Sequence, residues 1–316
     1  MSPHRARRGG TLAVAVAGCL FGTLGPASRG AYDAGLTPLT FALWRAGVGT
    51  LGLLVIIAVL AIRGRDRRRP KGLDRRTAGA LGAAVVAGVV LNLALFSAFG
   101  RMSIALALLG FYTYPALVAI GSVATGEEQL DRGRLAALVL ALLGVAVVVL
   151  GGPGGDPGFE LAGFGLALLA AAGEAAYVLL GRRGFPAVPT EDATLVVLGG
   201  TAAGFLLLTV ASGQLEVALL PFRSPGAMPV LIWAGVGGAS IPTLLFLLGI
   251  RAIGPTRAAI VSLVEPVAGA ALAALLLAEL LSPVQVAGGV LVLAGAALLQ
   301  REGEAAEPHE ATSGTA

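Results

Sequence analysis

Ten apolar runs, each near the length a helix needs to cross a lipid core, constrain this chain more than any other feature. A spanning helix takes about 20 residues to cross roughly 30 Å of hydrocarbon. Between charged or Pro/Gly-rich breaks the runs lie at 11–28, 38–62, 77–99, 102–124, 134–151, 161–181, 193–212, 228–249, 256–279 and 283–300. Some are short, 283–300 above all, and one alone could pass for a buried soluble helix. Ten together leave too little polar sequence to coat a soluble fold, because 56% of the 316 residues are hydrophobic and 13% are charged, against about 25% charged in a soluble domain. The expected class is an all-α polytopic membrane protein with ten transmembrane helices. The first run follows HRARRGG and has the form of a secretory signal. Its place in an internal repeat argues for a retained helix.

That repeat emerges when the chain is laid against itself at an offset of 151. Pro38 then falls on Pro189, Pro115 on Pro266, Glu128 on Glu279, Gly22 on Gly173, Gly49 on Gly200 and Gly144 on Gly295, without a gap. Matches among Ala, Leu and Gly are cheap in apolar sequence, but two proline pairs and a glutamate pair at one offset are not. The chain divides into a basic tail (1–10), a five-helix repeat (11–151), a second five-helix repeat (162–300) and an acidic tail (301–316) expected to be disordered. Five crossings per repeat send the second half into the membrane from the opposite side, so the repeats are expected to be inverted, an architecture common in secondary transporters.

Basic residues set the orientation. With the amino terminus cytoplasmic, the opposite loops hold only Arg29, Arg101 and Arg223, while RGRDRRRPKGLDRR (63–76) and most other arginines fall inside. Both termini are therefore expected in the cytoplasm. The 63–76 cluster is read as a topology determinant and a contact for anionic membrane lipids, not as a nucleic-acid patch. Cys19 is the only cysteine, so no intrachain disulfide can form.

Only three charges lie well inside the runs: Arg45, Glu174 and Glu265. A carboxylate at bilayer depth costs about 2.5–3.5 kcal/mol on insertion scales, so such groups mark pathways or pairs. Glu265 lies near the middle of its run, too deep to reach the headgroups. Pro266 beside it cannot donate a helix hydrogen bond, which should free the Ser262 carbonyl. The bland reading is a paired glutamate at a packing kink; the functional one is a site of substrate binding or ion coupling. Tyr114 is the repeat equivalent of Glu265 and a candidate partner across a cavity. Arg45 either extends to the headgroups or faces the bundle and meets a substrate carboxylate or a glutamate. Glu174 is a candidate proton carrier or counter-charge to a substrate amine. Asn92, Tyr112, Ser240, Thr243 and Ser262 are weaker hydrogen-bonding candidates, since hydroxyls in helices often bond their own backbone. Glu128 and Glu279 lie at run ends and read as caps or headgroup contacts, and Trp44 and Trp233 as anchors or packing.

Catalytic signatures are missing from this pattern. His4 and His309, the two histidines, are both in the tails, which leaves no histidine for a metal site or triad inside the runs. Gly47, Gly49 and Gly52 spell GxGxxG inside an apolar run with no preceding strand, a chance match. With no P-loop, uphill movement would have to draw on an ion or substrate gradient.

With these residues in view, the ten-run duplication, Arg45 in FALWRAG and the paired segments YPALVAIGSVATGEEQL and EPVAGAALAALLLAELL resemble the EamA family of the drug/metabolite transporter superfamily over 11–300. The resemblance implies an inner-membrane permease or exporter of small metabolites such as amino acids, with a central cavity lined mainly by the first, third, fourth, sixth, eighth and ninth runs. Two positions depart from that picture: Val196 stands where Arg45 recurs by the repeat, and Glu174 stands where a small or aromatic residue is usual. The expected function is secondary transport, not enzymatic, of a small polar metabolite such as an amino acid, by alternating access with proton coupling. A nucleotide-sugar or larger-metabolite carrier, or a non-transporting scaffold, is the alternative. No cofactor or metal is expected; the expected partners are the substrate, lipid, protons and a second copy of the chain, with no nucleic acid.

Overall fold

The computed structural model describes residues 3–62, 74–102, 104–126, 131–150, 160–223, 225–277 and 282–305. Every regular element among them is helical. The first repeat holds α1 (Pro3–Phe21), α2 (Leu24–Asp33), α3 (Pro38–Ile62), α4 (Arg75–Phe99), α5 (Ile104–Phe111), α6 (Tyr114–Ala124) and α7 (Arg132–Leu150). Then follow α8 (Leu161–Arg183), α9 (Thr190–Ala211), the short α10 (Leu215–Ala218) and α11 (Leu220–Arg223), α12 (Met228–Gly235), α13 (Ile241–Ile253), α14 (Pro255–Val261), α15 (Val264–Leu277) and α16 (Pro283–Ala305).

Local chemistry explains where these helices start and turn. Pro38, Pro255 and Pro283 open their helices at the position where a missing N–H costs nothing. Asp74 caps α4 by accepting from the Thr77 N–H at 2.9 Å. The turn from α13 into α14 runs through Gly254 at φ +88°, a left-handed conformation that a side chain disfavours. Outward faces carry Leu51, Val55, Ile62, Leu207 and Leu293, all exposed. Such an apolar exterior suits lipid, and the chain is an integral membrane protein.

Seven of the described helical stretches are long and apolar enough to cross a membrane: Arg7–Asp33, Pro38–Ile62, Arg75–Phe99, Leu106–Ala124, Leu161–Arg183, Thr190–Ala211 and Met228–Ile253. The fifth, ninth and tenth expected runs correspond to α7, the α14–α15 pair and α16. Both tails are helical where they are described. Helix α1 begins at Pro3, inside the basic segment, and α16 continues to Ala305, past the expected start of the acidic tail. Residues 63–73, Glu128, Glu279 and 306–316 lie outside the described residues.

Three of the expected rods are broken. The first is interrupted at Gly22–Thr23, the fourth at Tyr112–Thr113 and the ninth at Ser262–Leu263. The last two breaks are one residue from superposition at the offset of 151. A fourth irregularity has no such counterpart: between α12 and α13 the helix widens into a π turn over Val236–Ser240.

Glycines bring the backbones together. A β-carbon on Gly144 would lie 2.6 Å from the Val292 nitrogen and 2.8 Å from the Gly288 oxygen. On Gly295 it would lie 2.9 Å from the Ala137 oxygen and 3.1 Å from the Ala141 nitrogen. Gly295, Gly288 and Val292 are the offset equivalents of Gly144, Ala137 and Ala141, so the contact between α7 and α16 is reciprocal, and residue numbers that rise on one helix meet falling numbers on the other. The two helices are antiparallel. Gly49 and Gly52, from the GxGxxG string, face the π turn, where a β-carbon would meet Ala239 at 2.8 Å and the Ser240 hydroxyl at 2.9 Å. Small residues give lipid-embedded helices this close approach.

The bundle is packed solid at the end that holds Gly10, Phe185 and Ile250. Val14, Phe185, Leu247, Ile250, Ala258 and Ile260 are fully buried there. Arg251 ties this end together by donating to the carbonyls of Val188 (2.8 Å) and Phe185 (3.0 Å) and to the Thr190 hydroxyl (3.0 Å).

Candidate functional site

The three breaks border a cavity of about 370 Å³. It extends from the middle of the bundle towards the end that carries Pro26, Phe99 and Ile104, opposite the close-packed end. Arg45, Asn92, Tyr112, Tyr114, Glu174, Ser262, Glu265 and Pro266 all line it, as does Thr243. Ser240 does not; its hydroxyl donates to the Val236 carbonyl of its own turn at 3.1 Å.

Arg45 is turned into the bundle and is 7% exposed, so the headgroup-reaching alternative does not hold. One terminal nitrogen donates to Asn92 Oδ1 and the other to the Gly238 carbonyl, each at 2.7 Å. The guanidinium carbon stands 5.7 Å from the centroid of the Phe96 ring. The reason that carbonyl is available lies four residues on. Pro242 has no N–H to give back to Gly238, and the π turn displaces the neighbouring carbonyls. Asn92 is oriented in turn by donating to the Gly88 carbonyl at 2.8 Å. At the equivalent position of the second repeat, Val196 is 45% exposed and faces away from the interior.

Glu265 stands in the first turn of α15. The carbonyl of Ser262, which Pro266 should have left free, is instead taken by the Glu265 N–H at 2.9 Å. The freed backbone acceptor expected here is therefore not available. Gly18 of α1 and Gly22 at the break after it pack on this turn, and a β-carbon on Gly22 would lie 2.8 Å from the Glu265 carbonyl oxygen and 3.1 Å from the Gly269 nitrogen. Glu174 comes from α8, and both carboxylates are half-buried at the cavity wall. They lie within electrostatic reach of each other and of Arg45.

Tyr114, the expected partner of Glu265, hydrogen-bonds the Ser262 hydroxyl instead, and Ser262 donates to the Ala259 carbonyl at 2.8 Å. This links the fourth and ninth rods at their breaks. Tyr112 takes the place expected of Tyr114: it lies against Glu265. The Tyr112 hydroxyl is buried with no hydrogen bond of normal geometry, and so is that of Tyr177, one turn along α8 from Glu174.

Sequence reasoning missed three parts of this site. Tyr177, three residues after Glu174, could have been found from helical spacing. The Gly238 carbonyl could have been found from Pro242 inside an apolar run. The rings of Phe21, Phe96, Phe99, Phe111 and Phe246 on the wall carry no signal that separates them from lipid-facing aromatics. Among the described residues no group of three or more His, Cys, Asp or Glu could hold a metal.

A model of the EamA-like transporter family matches residues 8–150 and again 161–301. No curated protein matches the chain. A solved structure described as "Crystal structure of protein" superposes with a TM-score of 0.74, covering 96% of this chain and 100% of its own at 21% identity. At that identity it shows a shared fold.

Proposed function

The chain belongs to the EamA-like transporter family, and on that footing we propose that it is a secondary transporter that moves a small metabolite across the inner membrane by alternating access, coupled to protons. The single observation that carries this reading is the cavity, which collects all three charges that the sequence sets deep in apolar runs. Scattered structural ion pairs would have no reason to meet in one space that a small molecule can fill.

The proposed architecture is ten spanning rods in two inverted repeats, with domains at 11–151 and 162–300. Its support is the reciprocal, antiparallel contact of α7 with α16. A two-fold axis that exchanges two antiparallel helices runs perpendicular to them, and so in the plane of the membrane when both span it. A two-fold along the helices would have left them parallel. With both termini cytoplasmic, the close-packed end falls inside and the cavity reaches outward. The same halves, exchanging shapes, would open it inward. The arginine orientation leaves Arg251 and its bracketed loop on the cytoplasmic face.

In this mechanism Glu265 carries the coupling proton. It is the carboxylate at a helix break, beside a phenol and a second carboxylate, where charged and neutral forms can alternate as the cavity changes sides. Arg45 and Asn92 shape the opposite wall. Substrate occupies the space between, and its arrival and that of the proton exclude one another or proceed together according to the direction of coupling.

The test is flux in reconstituted vesicles. Substrates are first found by thermal shift, where a ligand at about 100 times its dissociation constant adds about 2.7 kcal/mol. Glu265→Gln is expected to leave folded protein in the membrane, abolish flux driven by a proton gradient and retain exchange. Full gradient-driven flux in that variant would make the glutamate structural.

A further inference from the structure

We infer that the substrate is an organic cation, an amine with an apolar, ring-sized body. This inference rests on the transport reading above and names the chemical class its cavity takes.

The charge count of the wall points this way. Among the lining residues Arg45 supplies one positive charge and Glu174 and Glu265 two carboxyl groups, which leaves a surplus carboxylate whenever Glu265 is without its proton. An uncompensated charge in an apolar interior is costly, and a bound ammonium removes it. A substrate carboxylate would add to it.

The hydrogen-bonding inventory agrees. Arg45, the cation that could receive a substrate carboxylate, has both terminal nitrogens engaged, by Asn92 Oδ1 and the Gly238 carbonyl, with the Phe96 ring beside it; its one unpartnered nitrogen, Nε, is buried. Acceptors, by contrast, are in excess. The two carboxylates face the cavity, the Tyr112 hydroxyl lies against Glu265, and the hydroxyl of Tyr177, 5% exposed as a residue, is buried without a partner in electrostatic reach of Glu174. A primary ammonium has three donors to give, and the two carboxylates with the Tyr177 hydroxyl oxygen supply what it needs. A zwitterion would satisfy its amine there but bring a third carboxylate beside the two already on the wall.

The remaining wall is apolar and aromatic. Phe21, Phe99, Phe111 and Phe246 line it, with Phe21 and Phe246 edge to face at 6.2 Å. Rings of this kind hold an apolar body by contact and favour a nearby cation through their faces. A small inorganic cation would leave that surface unused.

Three probes that share one ring separate the classes: 2-phenylethylamine, phenylalanine and phenylacetate, a cation, a zwitterion and an anion. Binding to the purified full chain in lipid nanodiscs is measured by thermal shift and titration calorimetry, and counterflow in vesicles is measured alongside. The amine is expected to bind at least about tenfold more tightly than phenylalanine, a 1.4 kcal/mol difference, and phenylacetate is expected to give no shift. Glu174→Gln is expected to weaken the amine about tenfold or more, its unliganded melting showing that it is folded. Phenylalanine or phenylacetate binding as well as the amine overturns the inference, as does silence from all three, and the wild-type comparison stands without any variant. Failures of the two readings are distinguishable. An amine that binds without counterflow spares the cation class and sinks transport. A zwitterion or anion from the screen that is carried across spares transport and sinks the cation class.

Discussion

Arg45 depends on a proline 197 positions away in the chain, and that dependence is testable residue by residue. Its two terminal nitrogens reach acceptors on separate elements, Asn92 on α4 and Gly238 in the π turn. Lysine keeps the charge but has one nitrogen on a flexible stem. Arg45→Lys is therefore expected to leave one acceptor unpaired, at about 1–3 kcal/mol, read as a lower melting temperature, and to reduce transport. Pro242→Ala restores a donor four residues beyond Gly238. In that background the melting cost of Arg45→Lys should shrink; an unchanged cost would mean that the carbonyl bond contributes nothing. The sequence made Arg45, Glu174 and Glu265 visible because charge in an apolar run is conspicuous. It could not reveal which side of its helix Arg45 occupies, since α3 is apolar almost all round, nor that the Glu265 N–H closes on Ser262.

At the scale of the element, glycines divide into those with room and those without. Gly144→Ala places a β-carbon 2.6 Å from backbone and is expected to cost about 1–3 kcal/mol by overpacking. Gly47→Ala has nothing within 4 Å and is expected to stabilise α3 by up to about 1 kcal/mol, from helix propensity alone. Melting of the two purified variants in one detergent gives the comparison, and equal shifts would remove the packing argument. At the start of α4, the Thr77 hydrogen bonds hold the Asp74 carboxyl below its usual range. Its capping contribution is thus present at neutral pH and lost as acid carries the pH down through that lowered value. The run boundaries were legible to within a few residues, as with 38–62 against α3, because apolar length is what a membrane demands. The break at Gly22–Thr23 was not, because composition is uniform across it, and at the π turn Pro242 marks an irregularity without saying which form it takes.

For the whole molecule, the orientation predicts that a reporter fused after Arg76 reads cytoplasmic and one fused near 155 reads external. The reverse pattern would invert the orientation, and matching sides would rule out five crossings in the first half. The seam between α7 and α16 has a further consequence, in assembly. Its two faces are repeat equivalents that meet antiparallel, so the contact is isologous, and severing the chain between 151 and 160 would turn an internal contact into a dimer interface. Co-expressed halves should find each other through it. Each half also carries a surface shaped to meet a copy of itself, so either half made alone is expected to pair. With Cys19 replaced, cysteines at Ala141 and Val292 should crosslink the rejoined halves, and cysteine at Ala141 alone should crosslink two copies of the first. A first half that stays monomeric in the membrane would show that the seam recognises difference as well as likeness.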